Sequence, residues 1–140
     1  MKILLAVDGS SYSKKMLAYL TTHETFLNAG NAYTVFTAQP PLPPRARAAV
    51  GKDIVKAYYS DECEKVLAPV TKFLLRHSID AKSAFEVGSA GESIAKFAEK
   101  GDFDLVIMGS HGHSAIGNLV MGSVATQVLA HCKVPVLLVR

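Results

Sequence analysis

Several features that would assign the sequence to a common functional class are scarce or missing. No stretch approaches the run of about eighteen apolar residues that a membrane-spanning helix needs. The apolar run after Met1 is too short for a signal peptide, and Asp8 and Gly9 follow it at once. The Lys and Arg residues are scattered, without the dense basic run or aromatic platform that single-stranded nucleic acid requires. We therefore expect a cytoplasmic protein that binds neither a membrane nor nucleic acid.

Cysteine is also scarce, and its spacing forms no metal or redox motif. Cys63 and Cys132 each lie in a helical apolar pattern, with no second Cys or His at C-x-x-C spacing. They are interpreted as buried thiols in a reducing compartment. His111 and His113 could turn toward one ion, but no third ligand lies near them in the sequence, so no metal site is expected.

The composition is that of a globular protein, with 49% hydrophobic and 19% charged residues in a chain of 140. This length is enough to bury a core, and we expect a single domain over residues 1–140. Apolar or β-branched stretches predict five strands. These strands are Lys2–Val7, Tyr33–Ala38, Ala81–Val87, Leu105–Met108 and Val134–Val139.

Helical spacing of apolar residues predicts four helices between the strands. The first helix begins after a cap at Ser10 or Ser11, and the second covers Asp53–His77. The third runs from Ser89 to Gly101, and the fourth begins at Gly122. Pro69 should bend or split the second helix, and Ser89 with Glu92 forms a capping-box pattern for the third. The prolines between Pro40 and Pro44 predict a stiff, non-helical loop. Strands that alternate with helices predict an α/β fold, an open parallel sheet doubly wound by helices on both faces.

Two of the predicted strands end in residues suited to binding. The first strand is followed by Asp8 and Gly9, and the fourth by Gly109. Ligands of such sheets bind outside the carboxyl ends of the strands, where the winding reverses direction. If these two strands are neighbours, Asp8 and the loop after Gly109 face one crevice.

The loop after the fourth strand is rich in glycine. Gly109, Gly112, Gly117 and Gly122 would present bare backbone N–H groups beside the N-terminus of a helix, which favours phosphate. Glycine is equally the ordinary residue for turning a chain. The loop matches neither G-x-x-x-x-G-K-[ST] nor G-x-G-x-x-G, so spacing alone leaves both interpretations open.

Four segments together give the chain a recognisable pattern. They are VDGS at Val7–Ser10, DLVIMGSHG at Asp104–Gly112, GSVA at Gly122–Ala125 and VPVLLVR at Val134–Arg140. On these segments the whole chain resembles universal stress proteins of the nucleotide-binding kind. Their phosphate signature is Gly, two residues, Gly, nine residues, Gly, then Ser or Thr. Gly109, Gly112, Gly122 and Ser123 fit that signature without a gap.

The resemblance implies a Rossmann-like sheet of strand order 3-2-1-4-5 and a stress-response protein that binds ATP, ADP or AMP, with or without Mg²⁺. Ala6 and Ala38 would line the adenine pocket, and the glycine loop would hold the phosphates. The implied nucleotide-binding set is Ala6, Val7, Asp8, Ala38, Met108, Gly109, His111, Gly112, Gly122, Ser123 and Val124. Many relatives carry Arg at the position of His113 and Val at the position of Ala38, so affinity and nucleotide choice are open.

The activity is also open between several alternatives. A dimeric sensor or regulator that binds nucleotide is favoured, and the same fold could serve as an interaction module without nucleotide. Slow ATP hydrolysis is a third alternative, although no Lys or Arg lies in the glycine loop to stabilise a transferred phosphoryl group. A triad of Asp8, Ser10 and His111 is disfavoured because no G-x-S-x-G elbow is present, and Ser10 is better explained as a helix cap. No catalytic residue is therefore assigned.

The last predicted strand indicates how two copies would associate. Pro135 has no N–H group, which favours a place at the edge of the sheet. An apolar edge invites pairing with another chain, so we expect a homodimer. The predicted interface comprises Val134, Val136, Leu137, Leu138 and Val139. A downstream protein partner is expected but is not identified by the sequence.

Overall fold

The computed structural model describes residues 1–113 and 120–140. Its centre is a parallel sheet in the order β3-β2-β1-β4-β5, which confirms the predicted topology. The strands are β1 (Lys2–Ala6), β2 (Ala32–Gln39), β3 (Lys82–Val87), β4 (Leu105–Gly109) and β5 (Val136–Val139). β5 begins later than expected, since Val134 and Pro135 precede the strand. The winding reverses at β1 and β4, so the carboxyl ends of these two strands lie side by side.

The described residues form five helices, where four were expected. They are α1 (Ser11–Thr21), α2 (Pro44–Val50), α3 (Lys52–Arg76), α4 (Ala90–Lys100) and α5 (Ser123–His131). The unexpected helix is α2, which begins at a proline of the predicted non-helical loop. Proline is compatible with the first position of a helix, because the N–H group that it lacks has no partner there.

Two local expectations concern the helices. Helix α3 continues through Pro69 as one helix, so of the two predicted effects the split is excluded and the bend stays a prediction. Ser89 does precede α4, but its side chain makes no capping hydrogen bond, so the capping box is not formed. The predicted ends at Ser10 and Gly101 are confirmed, since Ser10 caps α1 and Gly101 ends α4.

The sheet separates two apolar cores, and β1 contributes to both. Ile3 and Leu5 pack with α1 and α3 on one face, while Leu4 and Ala6 pack with α4 and α5 on the other. Burial of a leucine side chain contributes about 1.5–3 kcal/mol, so β1 is firmly held on both faces. Asp8, two residues beyond its end, is therefore attached to the most constrained strand of the molecule.

The two cysteines differ in their burial. Cys63 is fully buried as expected, but Cys132 is only half-buried. Burial raises the pKa of both thiols, and the charge of Glu62 adds to the effect at Cys63.

No helix in the described part of the chain is both long and apolar enough to cross a bilayer. Gly117 of the glycine loop lies outside the described residues.

Candidate functional site

A cavity of about 710 Å³ opens at the carboxyl ends of β1, β2 and β4. Every residue of the predicted nucleotide-binding set lines it. These residues are Ala6, Val7, Asp8, Ala38, Met108, Gly109, His111, Gly112, Gly122, Ser123 and Val124. Residues far apart in the sequence meet here because β4 lies directly beside β1, with Ala6 paired to Met108. The expected common crevice for Asp8 and the glycine loop is thus confirmed.

The Asp8 carboxylate is held by the first turn of α1. Its Oδ1 accepts hydrogen bonds from the Ser10 N–H at 2.9 Å and from the Ser13 hydroxyl at 2.9 Å. The same hydroxyl oxygen accepts from the Asp8 N–H at 3.1 Å. Among the described residues no donor reaches Asp8 Oδ2. One oxygen therefore fixes the side chain, and the other is available to a ligand that donates hydrogen bonds.

The glycine loop crosses close above this free oxygen. A Cβ atom at Gly112 would lie 2.6 Å from Asp8 Oδ2, well inside contact distance. The absence of a side chain at this position lets the loop and the carboxylate come together. The pattern G-x-x-G therefore has a structural reason in this chain that does not depend on a bound phosphate.

Gly109 and Gly122 also make close approaches within the protein. A Cβ at Gly109 would lie 2.8 Å from Tyr12 Cβ, so this glycine makes room for α1. Gly109 therefore has a packing role within the protein, and its role in phosphate binding stays a prediction. A Cβ at Gly122 would lie 3.2 Å from Ser110 O, and the Gly122 N–H donates to that oxygen at 2.8 Å. Substitution of either glycine would therefore disturb the backbone as well as the cavity.

The N-terminus of α5 faces the cavity without a capping side chain. Its N-cap is Gly122, and the residues of its first turn, Ser123, Val124 and Ala125, line the cavity. The first hydrogen bond of the helix runs from Thr126 N to Gly122 O, so the preceding N–H groups have no partner in the helix. Unpaired N–H groups and the positive end of the helix dipole favour an anion at this place.

Two histidines fix the loop. The ring of His111 lies 4.7 Å from that of Tyr12, and its Nδ1 is 2.8 Å from Ser110 Oγ. His113 is exposed, and its Nε2 lies 2.7 Å from Asp8 O. Because a carbonyl oxygen can only accept, Nε2 must carry the proton. His113 thus links the loop to the segment that follows β1.

Sequence reasoning missed the part of the wall that β2 and α3 supply. Glu62 and Val66 of α3 line the cavity, as do Thr37 and Gln39 of β2. Their only sequence signals were the four-residue spacing of Glu62 and Val66 and the closeness of Thr37 to Ala38. Neither signal indicates which cavity the side chains line, because that depends on the path of α3 across the sheet.

Thr37 has a hydroxyl directed at the cavity. Its residue is only 5% exposed, and its Oγ1 makes no hydrogen bond with any described residue. No fully enclosed side-chain oxygen or nitrogen in the described residues lacks a partner, so Thr37 Oγ1 must reach an accessible surface. The cavity is the surface that Thr37 lines.

The fixed charges of the cavity are negative. Asp8 and Glu62 line it, and the described lining residues include neither Lys nor Arg. The Glu62 carboxylate is partly compensated by Lys65, whose Nζ lies 2.9 Å from Glu62 Oε1. The sequence itself contains no Lys or Arg between Lys100 and Lys133. Attraction for an anion therefore comes from backbone N–H groups and the α5 dipole.

Comparison with known proteins agrees with this architecture. Residues 1–140 match the model of the universal stress protein family. The chain is 32% identical over 142 residues to a universal stress protein of Synechocystis sp., covering 99% of this chain but 42% of that relative. It is 30% identical over 139 residues to one from Thermus aquaticus, covering 99% of this chain and 97% of the relative.

Solved structures show the same fold. The structure of MJ0577, a universal stress protein of Methanocaldococcus jannaschii, is 26% identical with a TM-score of 0.81 and covers 99% of this chain and 94% of its own. The universal stress protein UspA of Lactobacillus plantarum is 16% identical with a TM-score of 0.79 and covers 100% of this chain and 97% of its own. The chain therefore belongs to the universal stress protein family.

Proposed function

We propose that this chain is a stress-response protein that binds an adenine nucleotide in the cavity described above and acts as a dimeric sensor or regulator. One observation carries the proposal. A free carboxylate oxygen on Asp8 and the uncapped N-terminus of α5 face the same cavity. A nucleotide offers the two matching groups, hydroxyl or amino donors on its nucleoside and an anionic phosphate.

The order of the strands suggests how the nucleotide is oriented in the cavity. β2, β1 and β4 are neighbours, and with about 4.8 Å between strands the ends of β2 and β4 are about 10 Å apart. The phosphate belongs at the β4 end, beside α5. The base belongs at the β2 end, near Ala38 and Thr37, with Asp8 between them for the ribose. This arrangement uses the free carboxylate oxygen of Asp8, the hydroxyl of Thr37 and the N–H groups at the start of α5.

Ligands of structural relatives support the proposal. One universal stress protein was solved in complex with cAMP, and another from Archaeoglobus fulgidus in complex with dAMP. They are 23% and 20% identical to this chain, each with a TM-score of 0.70. At such identities the likeness establishes the fold alone. The ligand assignment for this chain therefore rests on its own cavity residues.

The charges of the cavity affect how many phosphate groups a bound nucleotide can carry. A helix N-terminus supplies about half an elementary charge, which suits one phosphate group. ATP carries several negative charges, and no Lys or Arg of the described wall offsets them. ATP would therefore need Mg²⁺ to supply charge at its phosphates, whereas AMP would not. We expect chelation of Mg²⁺ to weaken ATP binding several-fold and to leave AMP binding unchanged, as measured by titration calorimetry.

The proposal includes a homodimer formed through β5 and a cytoplasmic location. β5 pairs with β4 on one side and forms an edge of the sheet on the other. Val134, Val136, Leu137 and Leu138 are half-buried there, while Val139 is buried. Edge pairing with a second copy would satisfy the free backbone groups of the strand. Two thiols without a disulfide support the location.

Release of bound nucleotide tests the proposed function directly. Purified protein is denatured, and the supernatant is analysed for adenine nucleotide by chromatography and absorbance. In parallel, melting temperature is measured with AMP, ADP or ATP at millimolar concentration, where a ligand specific for the folded state must stabilise it. We expect released nucleotide or a raised melting temperature. If neither is observed, the chain is an interaction module without nucleotide.

A further inference from the structure

One segment of the fold projects away from both cores. Residues 41–60 form the end of the proline-rich loop, α2 and the first part of α3, and none of them is buried. The first buried residue of α3 is Cys63. Tyr59 fastens the loop to α3, because its hydroxyl oxygen accepts a hydrogen bond from the Leu42 N–H at 2.8 Å. Residues 41–60 are called the helical projection below.

A concave groove of about 710 Å³ lies between the two helices of the projection. One face of α3 forms its wall, since Lys52, Val55, Lys56 and Tyr59 follow helical spacing and all line it. Val87 closes the groove at the end of β3. The groove is separate from the proposed nucleotide cavity, with which it shares no lining residue.

The projection also exposes apolar side chains outside the groove. Ile54 is 59% exposed, Val50 44% and Tyr58 38%. In the isolated chain these three large apolar side chains contribute little to the free energy of folding, because they are not buried. Exposed apolar surface of this kind marks a site of interaction.

The net charge of the whole chain resides in the projection. Lys and Arg residues occur throughout the sequence, but elsewhere they are matched by carboxylates. The projection holds Arg45, Arg47, Lys52 and Lys56 against Asp53, which is the entire excess of 15 cations over 12 anions. The remaining residues contain eleven of each sign. Arg47, Lys52 and Lys56 line the groove, and within the described residues none forms an ion pair.

These charges discriminate between possible occupants. A second copy of this chain would place the same cations opposite one another, because a two-fold interface brings each surface against itself. A flat anionic surface such as a membrane would leave the concave groove unfilled. Nucleic acid would pair with the cations but would leave the apolar groove residues Val55 and Val87 in water. An acidic segment with apolar side chains matches both the charges and the groove.

We propose that the helical projection is a docking site for a partner protein that presents apolar side chains flanked by Asp and Glu. Apolar side chains of the partner fill the groove between α2 and α3, and its carboxylates pair with Lys52, Lys56 and Arg47. This site is independent of the nucleotide cavity and does not depend on the proposed nucleotide function.

A random dodecapeptide library displayed on phage tests the docking site without assuming a partner. The folded wild-type chain is the target, and enriched peptides are synthesised for fluorescence polarisation at physiological salt. We expect enrichment of peptides that combine Asp or Glu with large apolar residues. Enrichment without an acidic bias would overturn the proposal.

Variants on one helix locate the binding. The double variant Lys52→Glu/Lys56→Glu should weaken the enriched peptides at least ten-fold, and Val55→Ser, which removes an apolar side chain from the groove wall, about five-fold. Lys72→Glu and Leu75→Ser are matched controls, since both side chains are exposed on the same helix beyond the projection. Controls within two-fold of wild type are expected, and melting curves verify that each variant folds. Equal binding to projection variants and controls would contradict the proposal.

Other occupants are tested with the same variants. Oligothymidylate and phosphatidylserine vesicles are titrated at the same salt concentration, and sedimentation is compared between wild type and Val55→Ser. Tighter binding of either anionic probe than of the peptides, lost in Lys52→Glu/Lys56→Glu, would show that the partner is not a protein. A change in oligomeric state in Val55→Ser would identify the occupant as a second copy and would likewise refute the proposal.

Discussion

At the scale of single residues, Thr37 is the most direct probe of the proposed base site. Its hydroxyl reaches the cavity and has no partner among the described residues. A hydrogen bond of this kind contributes about 0.5–1.5 kcal/mol net. Thr37→Val preserves the shape of the side chain and removes the hydroxyl. We expect it to weaken adenine nucleotide binding about two- to ten-fold in a calorimetric titration.

The matched control for this substitution lies in the same strand. Thr34→Val removes a half-buried hydroxyl of β2 that is not part of the cavity wall. Its nucleotide affinity should equal that of wild type. If Thr37→Val and Thr34→Val bind equally well, Thr37 does not contact the base, even where the wild-type chain binds nucleotide.

Gly112 tests the close approach of the loop to Asp8. A methyl group at this position would lie 2.6 Å from Asp8 Oδ2, so Gly112→Ala must displace the loop or the carboxylate. Overpacking of this kind costs about 1–3 kcal/mol of unfolding free energy. In an Asp8→Ala background the clash is gone, and the same substitution should cost about 1 kcal/mol less. Urea unfolding of the four proteins measures this coupling, and additive costs would argue against the contact.

At the scale of elements, apolar patterns predicted the buried strands and helices, and the helix that they missed has no buried residue. Both faces of β1 are buried, and its continuous apolar run predicted it correctly. Helix α2 was missed because its sequence PRARAAV has no apolar face, and none of its residues is buried. The cavity positions at β1, β4 and α5 follow contiguous motifs and were predicted. Glu62 and Val66 were not, because only the path of α3 across the sheet brings them there.

Helix α5 should respond directly to the phosphate. Ser123, Val124 and Ala125 present N–H groups without partners in the helix at the cavity. If these groups bind phosphate, their exchange with deuterium should slow at least several-fold when AMP is added. The first turn of α3 is a suitable internal control, because Lys52 and Asp53 lie away from this cavity. Uniform slowing in both helices would indicate general stabilisation instead of a phosphate contact.

At the scale of the whole molecule, the two proposed interfaces, the β5 edge and the helical projection, differ in their chemistry. The β5 edge is apolar, whereas the helical projection carries the entire net charge. A homodimer through β5 leaves the projection free, because β3 and β5 are the opposite edges of the sheet and Val87 of β3 closes the groove. The proposed dimer and the proposed docking of an acidic partner are therefore compatible with each other.

Helix α5 connects the proposed phosphate site to the proposed dimer strand. Its first turn lines the cavity, and only the short segment 132–135 separates its end from β5. Binding of nucleotide at the start of α5 should therefore change the dimer dissociation constant, and dimerisation must change nucleotide affinity by the same factor. Typical coupling of 1–3 kcal/mol corresponds to a change in affinity of about five- to 150-fold.

Sedimentation with and without AMP measures the effect on the dimer, and calorimetry at concentrations above and below the dimer dissociation constant measures the effect on nucleotide affinity. Ile54→Ser should leave both unchanged, since its side chain lies on the projection. A dimer constant that AMP does not alter would show that the two sites are independent.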